Sequence, residues 1–143
     1  MFVIDLVATL EVDSAATGAP VAAALPPGLP KVTSVPGRKP VIASVSGVQQ
    51  VAAPLSGLLL TGAGAPIDAT KALALQVVQA DPATGKTIKE TWGIRPQITQ
   101  SARILELVKA LQGQRVGSRA VVLTAAKGKT PARILVIDVL AQY

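Results

Sequence analysis

The side chains of this sequence that could do chemistry are few and scattered. None of the 143 residues is a cysteine or a histidine, which removes thiolate nucleophiles, imidazole general bases, disulfides and the usual zinc ligands together. Asp138 has no second acid or base beside it, and a lone carboxylate is poor equipment for acid–base catalysis; it reads as a strand residue facing solvent or an arginine. Arg115 and Arg119 could hold a carboxylate or a phosphate, but one lies before a strand and one inside it, the pattern of ordinary solvated charge. Gly62-Ala-Gly64-Ala lacks the residues that complete a phosphate-cradling loop. Lys127-Gly-Lys129-Thr has no glycine five residues earlier and sits in a short hairpin, so it is not one either. Trp92 is the one large aromatic of the C-terminal part, a type of residue that can anchor a ligand, and its place after a strand-like turn predicts burial in the core. No metal or cofactor is implied.

Charge and hydropathy exclude further classes. The net charge of +6 is carried by residues 66–143, with eleven basic against five acidic groups, while residues 1–65 balance at three and three. A basic surface can attract nucleic acid, but single-strand and RNA binding also call for aromatic platforms. Phe2, Trp92 and Tyr143 are the only aromatics, so no nucleic-acid partner is expected. No apolar run reaches the roughly 18 residues of a membrane span, and Met1 to Asp5 lacks the basic start of a signal peptide. No direct membrane span is expected, and the compartment stays open.

The elements that must position these residues begin with a repeat. Phe2-Val-Ile-Asp-Leu-Val-Ala-Thr-Leu10 matches Leu135-Val-Ile-Asp-Val-Leu-Ala-Gln-Tyr143 at four of nine positions, and four more exchange one apolar residue for another. Residues 1–10 are thus expected to be a strand like the last strand of a preceding domain, in search of a partner in trans. Residues 11–47 have the Pro, Ala and Gly content of a linker, within which Val32 to Val35 and Val41 to Val45 flank the Pro36-Gly37 turn of a possible hairpin. Residues 48–143 read as a folded domain. A strand over Ala72 to Gln79 meets a turn at Asp81 to Lys86. Ser101 caps a helix of about ten residues with Ile104, Leu105, Val108 and Leu111 at helical spacing, ended by Gly113. Arg119 to Thr124 and Ile134 to Leu140 are buried strands, and the short Lys127 to Pro131 connection makes them antiparallel. The expected class is α+β, an antiparallel sheet curving around one helix, with Ile104, Leu111, Val121, Leu123, Leu135 and Ile137 in the core.

Three segments of this domain carry a family resemblance. Gly85-Lys-Thr-Ile-Lys-Glu-Thr-Trp92 is similar to the Gly-Lys-x-Phe-Asp-Ser-Ser-Trp stretch of FK506-binding-protein (FKBP) peptidyl-prolyl isomerases. Arg103 to Arg119 resembles their helix and its exit, with Ile104, Leu111, Val116, Gly117 and Arg119 in register, and Leu135-Val-Ile-Asp-Val139 resembles their last strand. The chain resembles the second unit of a tandem bacterial protein of that family. By this resemblance the peptide pocket falls to Ile88, Trp92, Ile104, Leu107 and Ile137. The pocket is degenerate: Ile88 and Lys89 replace phenylalanine and aspartate, Leu107 replaces the tryptophan floor, and the loop after Thr124 is too short for the tyrosine-bearing flap. Isomerases must lower a barrier of about 18–20 kcal/mol set by amide resonance, and the resemblance implies that they do so in a dry aromatic box. With that box gone, the expected role is a catalytically degenerate, chaperone-like module that binds protein or proline-containing peptide, with no catalytic residue assigned. An active but slow isomerase and a structural accessory subunit are the alternatives. Phe2 to Leu10 would make a homo-oligomer or join a complex.

Overall fold

A computed structural model describes residues 13–21 and 25–143; the expected strand at Phe2 to Leu10 lies outside them. The fold is α+β: an antiparallel sheet with one α-helix across one face. Its strands are β1 (Ala19–Pro20), β4 (Leu55–Thr61), β5 (Ala72–Ala80), β6 (Thr87–Glu90), β7 (Gln97–Gln100), β8 (Arg119–Leu123) and β9 (Ile134–Gln142), and a separate hairpin holds β2 (Lys31–Thr33) and β3 (Val41–Ser44). The order across the sheet is β1-β4-β8-β9-β5, and beyond β5 its far side is shared by β6 and β7. The β8–β9 hairpin is antiparallel as its short connection requires. The turn after β5 closes through Gly85, whose φ of +77° suits a residue without Cβ.

Period-two alternation sorts the central strands between two faces. Leu73 and Leu75 of β5, Ala120 and Val122 of β8, and Ile137 and Val139 of β9 pack on the helix side. The opposite face carries Val78, Ala80, Val121, Leu123, Ile134 and Val136. Of the expected core, Ile104, Leu111, Val121, Leu123 and Ile137 are buried, and Leu135 is only partly so.

The helix differs from expectation. It runs as α1 over Ser101–Leu107, seven residues, and the chain then makes a 3₁₀ turn at Lys109–Leu111. Gln100, not Ser101, is the N-cap, without a side-chain cap bond. Ser101 is the first helical residue and its buried Oγ has no hydrogen-bond partner among the described residues. The break at Val108 (φ −114°, ψ 84°) lets Val108 and Leu111 both reach full burial, a packing gain that outweighs the lost helical bonds. Ser56 Oγ on β4 accepts a 3.0 Å bond from the Ala110 amide at this break. Gly113 follows with φ +78°.

The Pro, Ala and Gly-rich stretch is packed against the sheet in its described part. Ala15, Leu25, Leu29, Val32, Ile42 and Val45 all lie on the face opposite the helix. The β2–β3 hairpin expected there is formed, and docking supplies what so short a hairpin lacks alone. Gly57 of β4 shows how close the layer sits: a Cβ there would meet Leu25 Cδ2 at 2.5 Å and Leu29 Cδ1 at 3.0 Å. The sheet is therefore covered on both faces, by the helix and 3₁₀ turn on one and by this wrap on the other.

Candidate peptide-binding groove

The charged residues resolve first, because the structure corrects their reading. Arg119 is not solvated charge: it is fully buried, as is Asp138. A hairpin that pairs Leu123 with Ile134 also sets Arg119 directly across from Asp138. Arg119 Nε donates to Asp138 Oδ1 at 2.7 Å and Nη2 to Oδ2 at 2.8 Å, a bidentate pair. The remaining guanidinium donors reach the wrap: Nη1 donates to Ser34 Oγ at 3.0 Å and to the Val35 carbonyl at 3.3 Å, and Nη2 to the Arg38 carbonyl. Asp138 Oδ2 accepts a 2.9 Å bond from the Ala16 amide. Beside this cluster buried Gln76 donates to the Ser14 carbonyl and accepts from Thr91 Oγ1. Every donor of the arginine is used, two within the sheet and three on the wrap, so the pair is a structural latch with no group left over for a ligand. Arg115, by contrast, lies near the surface and donates to the Gly64 carbonyl. The glycines at 62 and 64 are there for close approach, since a Cβ at Gly62 would fall 2.2 Å from the Val116 carbonyl oxygen.

The five residues expected to form a peptide pocket do not converge. Ile104 and Leu107 line an open groove of about 610 Å³ between β7 and α1, together with Gln97, Ile98, Thr99, Gln100 and Arg103. Ile137 packs in the core beneath the helix and is 1% exposed. Trp92 packs on the opposite face of the sheet, 8% exposed, with its Nε1 lacking a partner among the described residues. Ile88 stands on β6 at 49% exposure, away from the groove. The separation has a backbone cause. β6 and β7 both pair with β5, at opposite ends of it, and between them the chain leaves the sheet through Gly93, with φ +78°. That excursion is tied at its root by Thr91, whose Oγ1 accepts from the Val77 amide and whose carbonyl accepts from Ile94 and Arg95.

The excursion also builds what the sequence did not reveal. Ile94 and Ile98 are 69% and 60% exposed, the most exposed large apolar side chains among the described residues. A second concavity beside the first is lined by Lys89, Glu90, Thr91, Ile94, Arg95, Pro96, Gln97 and Ile98. Gln97 and Ile98 border both, so the two form one open trough along β7. The signal in the sequence was Ile94 and Ile98 set among Gly, Arg, Pro, Gln and Thr, an apolar pair with no periodic face to join.

The trough offers apolar floor, amide and hydroxyl groups and cations. It holds no aromatic side chain, and its one carboxylate, Glu90, pairs with Lys39. Among the described residues no cluster of three His, Cys, Asp or Glu could hold a metal ion, and no helix is long and apolar enough to cross a membrane.

No protein-family model and no curated protein matches the chain. Among solved structures it is similar to the crystal structure of a peptidyl-prolyl cis-trans isomerase from Pseudomonas syringae pv. tomato str. DC3000, with a TM-score of 0.45 and 23% sequence identity over 68% of this chain and 81% of that one.

Proposed function

We propose that this chain is a non-catalytic, chaperone-like peptide-binding module of the FKBP type, which receives apolar or proline-containing segments in the trough between β7 and α1. The observation that carries this reading is the lining of that trough: Ile104, Leu107 and Ile98 give it an apolar floor, and no aromatic ring encloses it. Prolyl isomerisation requires a site that favours the twisted imide over both planar forms. An open aliphatic groove contacts the planar and twisted forms about equally, and uniform binding gives affinity without rate. Trp92, the residue best suited to enclose a proline ring, is committed to the other face of the sheet. The sequence resemblance to isomerases supports the family of the reading, and the lining supports its loss of catalysis.

The test is the refolding of a substrate protein limited by proline isomerisation, a phase of tens to hundreds of seconds at 25 °C when uncatalysed. Substoichiometric amounts of this chain should leave its rate unchanged, while stoichiometric amounts hold the unfolded substrate in solution. Acceleration at substoichiometric levels, inhibited by a macrolide ligand of the family, would establish a slow isomerase instead.

A further inference from the structure

The outer edge of β7 is a second feature of the trough, and it specifies the kind of segment that fits. β7 pairs with β5 on one side, and among the described residues no strand pairs with its other side. Edge strands left in this state are commonly covered, shortened or guarded by inward charge, because their backbone donors and acceptors template another strand. Here Gln97, Ile98 and Gln100 are exposed along the edge, and Ile94 stands exposed beside it.

The charges around the edge are one-sided. Lys89 and Arg95 line one end of the trough and Arg103 the other. None of the three is paired with a carboxylate among the described residues, and the single acid present, Glu90, is held by Lys39. An unneutralised cationic rim beside an apolar, strand-ready edge selects against basic segments and favours acidic ones.

We propose that β7 takes up an extended segment of a partner protein as an additional strand, and that the segment recognised alternates apolar and small polar residues and is flanked by carboxylates. This rests on the reading of the trough as a peptide site and names its ligand class. Backbone bonds along Gln97–Gln100 give affinity. Period-two alternation puts one set of the segment's side chains beside Ile98 and Ile94 and the other toward Thr99, Leu107 and the helix. Arg95 and Arg103, near opposite ends, meet the flanking carboxylates.

The experiment measures binding of fluorescent peptides to the full chain by anisotropy: an alternating Val/Thr peptide flanked by glutamates, the same peptide flanked by lysines, a neutral one, and the glutamate peptide N-methylated at alternate amides. The glutamate peptide should bind on the order of tenfold more tightly than the lysine peptide, from two rim ion pairs gained against two repulsions. The gap should close as salt rises. R95E/R103E should reverse the preference, and N-methylation in the register that faces the edge should abolish binding. Equal affinity for both charges, or undiminished binding of the N-methylated peptides, overturns the proposal while leaving the groove a peptide site if Leu107→Arg still blocks binding. Failure of every peptide to bind overturns both readings. Self-association of the chain that competes with peptide, or binding that emerges only after deletion of residues 1–12, assigns the edge to a second copy or to the chain's own N-terminal segment and likewise overturns it.

Discussion

The two faces of the sheet are built from the same alternating strands and have been finished in opposite ways. On the wrap face lies a buried polar network: Arg119 uses all five donors on Asp138, Ser34, Val35 and Arg38, and Ala16 completes the carboxylate. On the helix face Leu73, Leu75, Val122, Ile137 and Val139 form an apolar cluster, and the margin of the sheet at β7 and α1 is open, with Arg103 unpaired among the described residues and Ile98 exposed on the other side of β7. A buried network with every group satisfied fixes one arrangement and leaves nothing for a ligand. An open apolar margin with unspent cations adds little to folding and is free to recognise. The buried latch and the open margin at β7 thus lie in different parts of one sheet, and they can be perturbed separately.

The largest expected effect comes from removing one half of the latch. Arg119→Ala leaves a buried carboxylate, the Val35 and Arg38 carbonyls and Ser34 without their donor, and should cost about 3–5 kcal/mol in urea denaturation. Replacing both partners by apolar residues removes the uncompensated charge and should recover part of that loss. It still strands the Ala16 amide and the wrap carbonyls, so protection from hydrogen exchange should fall over residues 13–47 while β5, β8 and β9 stay protected. Full recovery by the double variant would show that the pair holds itself and not the wrap.

Next comes the packing between wrap and sheet. Gly57→Val pushes into Leu25, Leu29 and Pro26 and should destabilise by about 1–3 kcal/mol through overpacking. Limited proteolysis would then cut within residues 25–47 before it cuts the sheet. At the open margin, Arg103→Gln or Ile98→Ser should change stability by no more than about 0.5 kcal/mol, as for exposed positions that make no special contact. A loss of several times that from either would mean that the groove margin belongs to the folding core.

The smallest effect is in the pH dependence, far from both features. Asp68 accepts from the Thr70 amide and hydroxyl, and the amide bond above all, then the hydroxyl bond, holds its carboxyl below the ordinary carboxylate value. A folded-state value depressed in this way contributes stability that is present above the unfolded carboxylate pKa and is lost as pH falls through the folded one. Asp68→Asn should therefore lower the denaturation midpoint slightly at neutral pH, flatten the acid limb by the same small amount, and leave the midpoint at low pH almost unchanged.

Much of this was legible in the sequence, and the exceptions share a cause. The β8–β9 hairpin, the strand at Ala72, the turns at Gly85 and Gly113 and the helix start near Ser101 follow from local period and turn chemistry. The pairing of Arg119 with Asp138 was also within reach, since the register of that hairpin sets them opposite each other. Asp138 reads as facing solvent or an arginine, but Arg119 reads alone as solvated charge, so residue by residue the two are not joined. Leu55–Thr61 escaped notice as a strand because Gly57 interrupts it, and that glycine is explained only by Leu25 and Leu29 lying on top. The wrap itself has linker composition and no period; its few Leu, Val and Ile are placed by the surface that they cover. The pocket residues inferred from family resemblance scattered for a similar reason. Ile88 and Trp92 are separated from Ile104 and Leu107 by the excursion at Gly93, a tertiary feature that motif spacing does not encode.

The most direct measurement of this division is an amide footprint of the full chain by nuclear magnetic resonance during titration with the glutamate-flanked peptide. Shifts should concentrate at Gln97–Gln100 and along Arg103 to Leu107, with Ala16, Ser34 and Arg38 unmoved. A footprint centred on the wrap, or on Trp92, with β7 silent would contradict the assignment of recognition to the margin at β7.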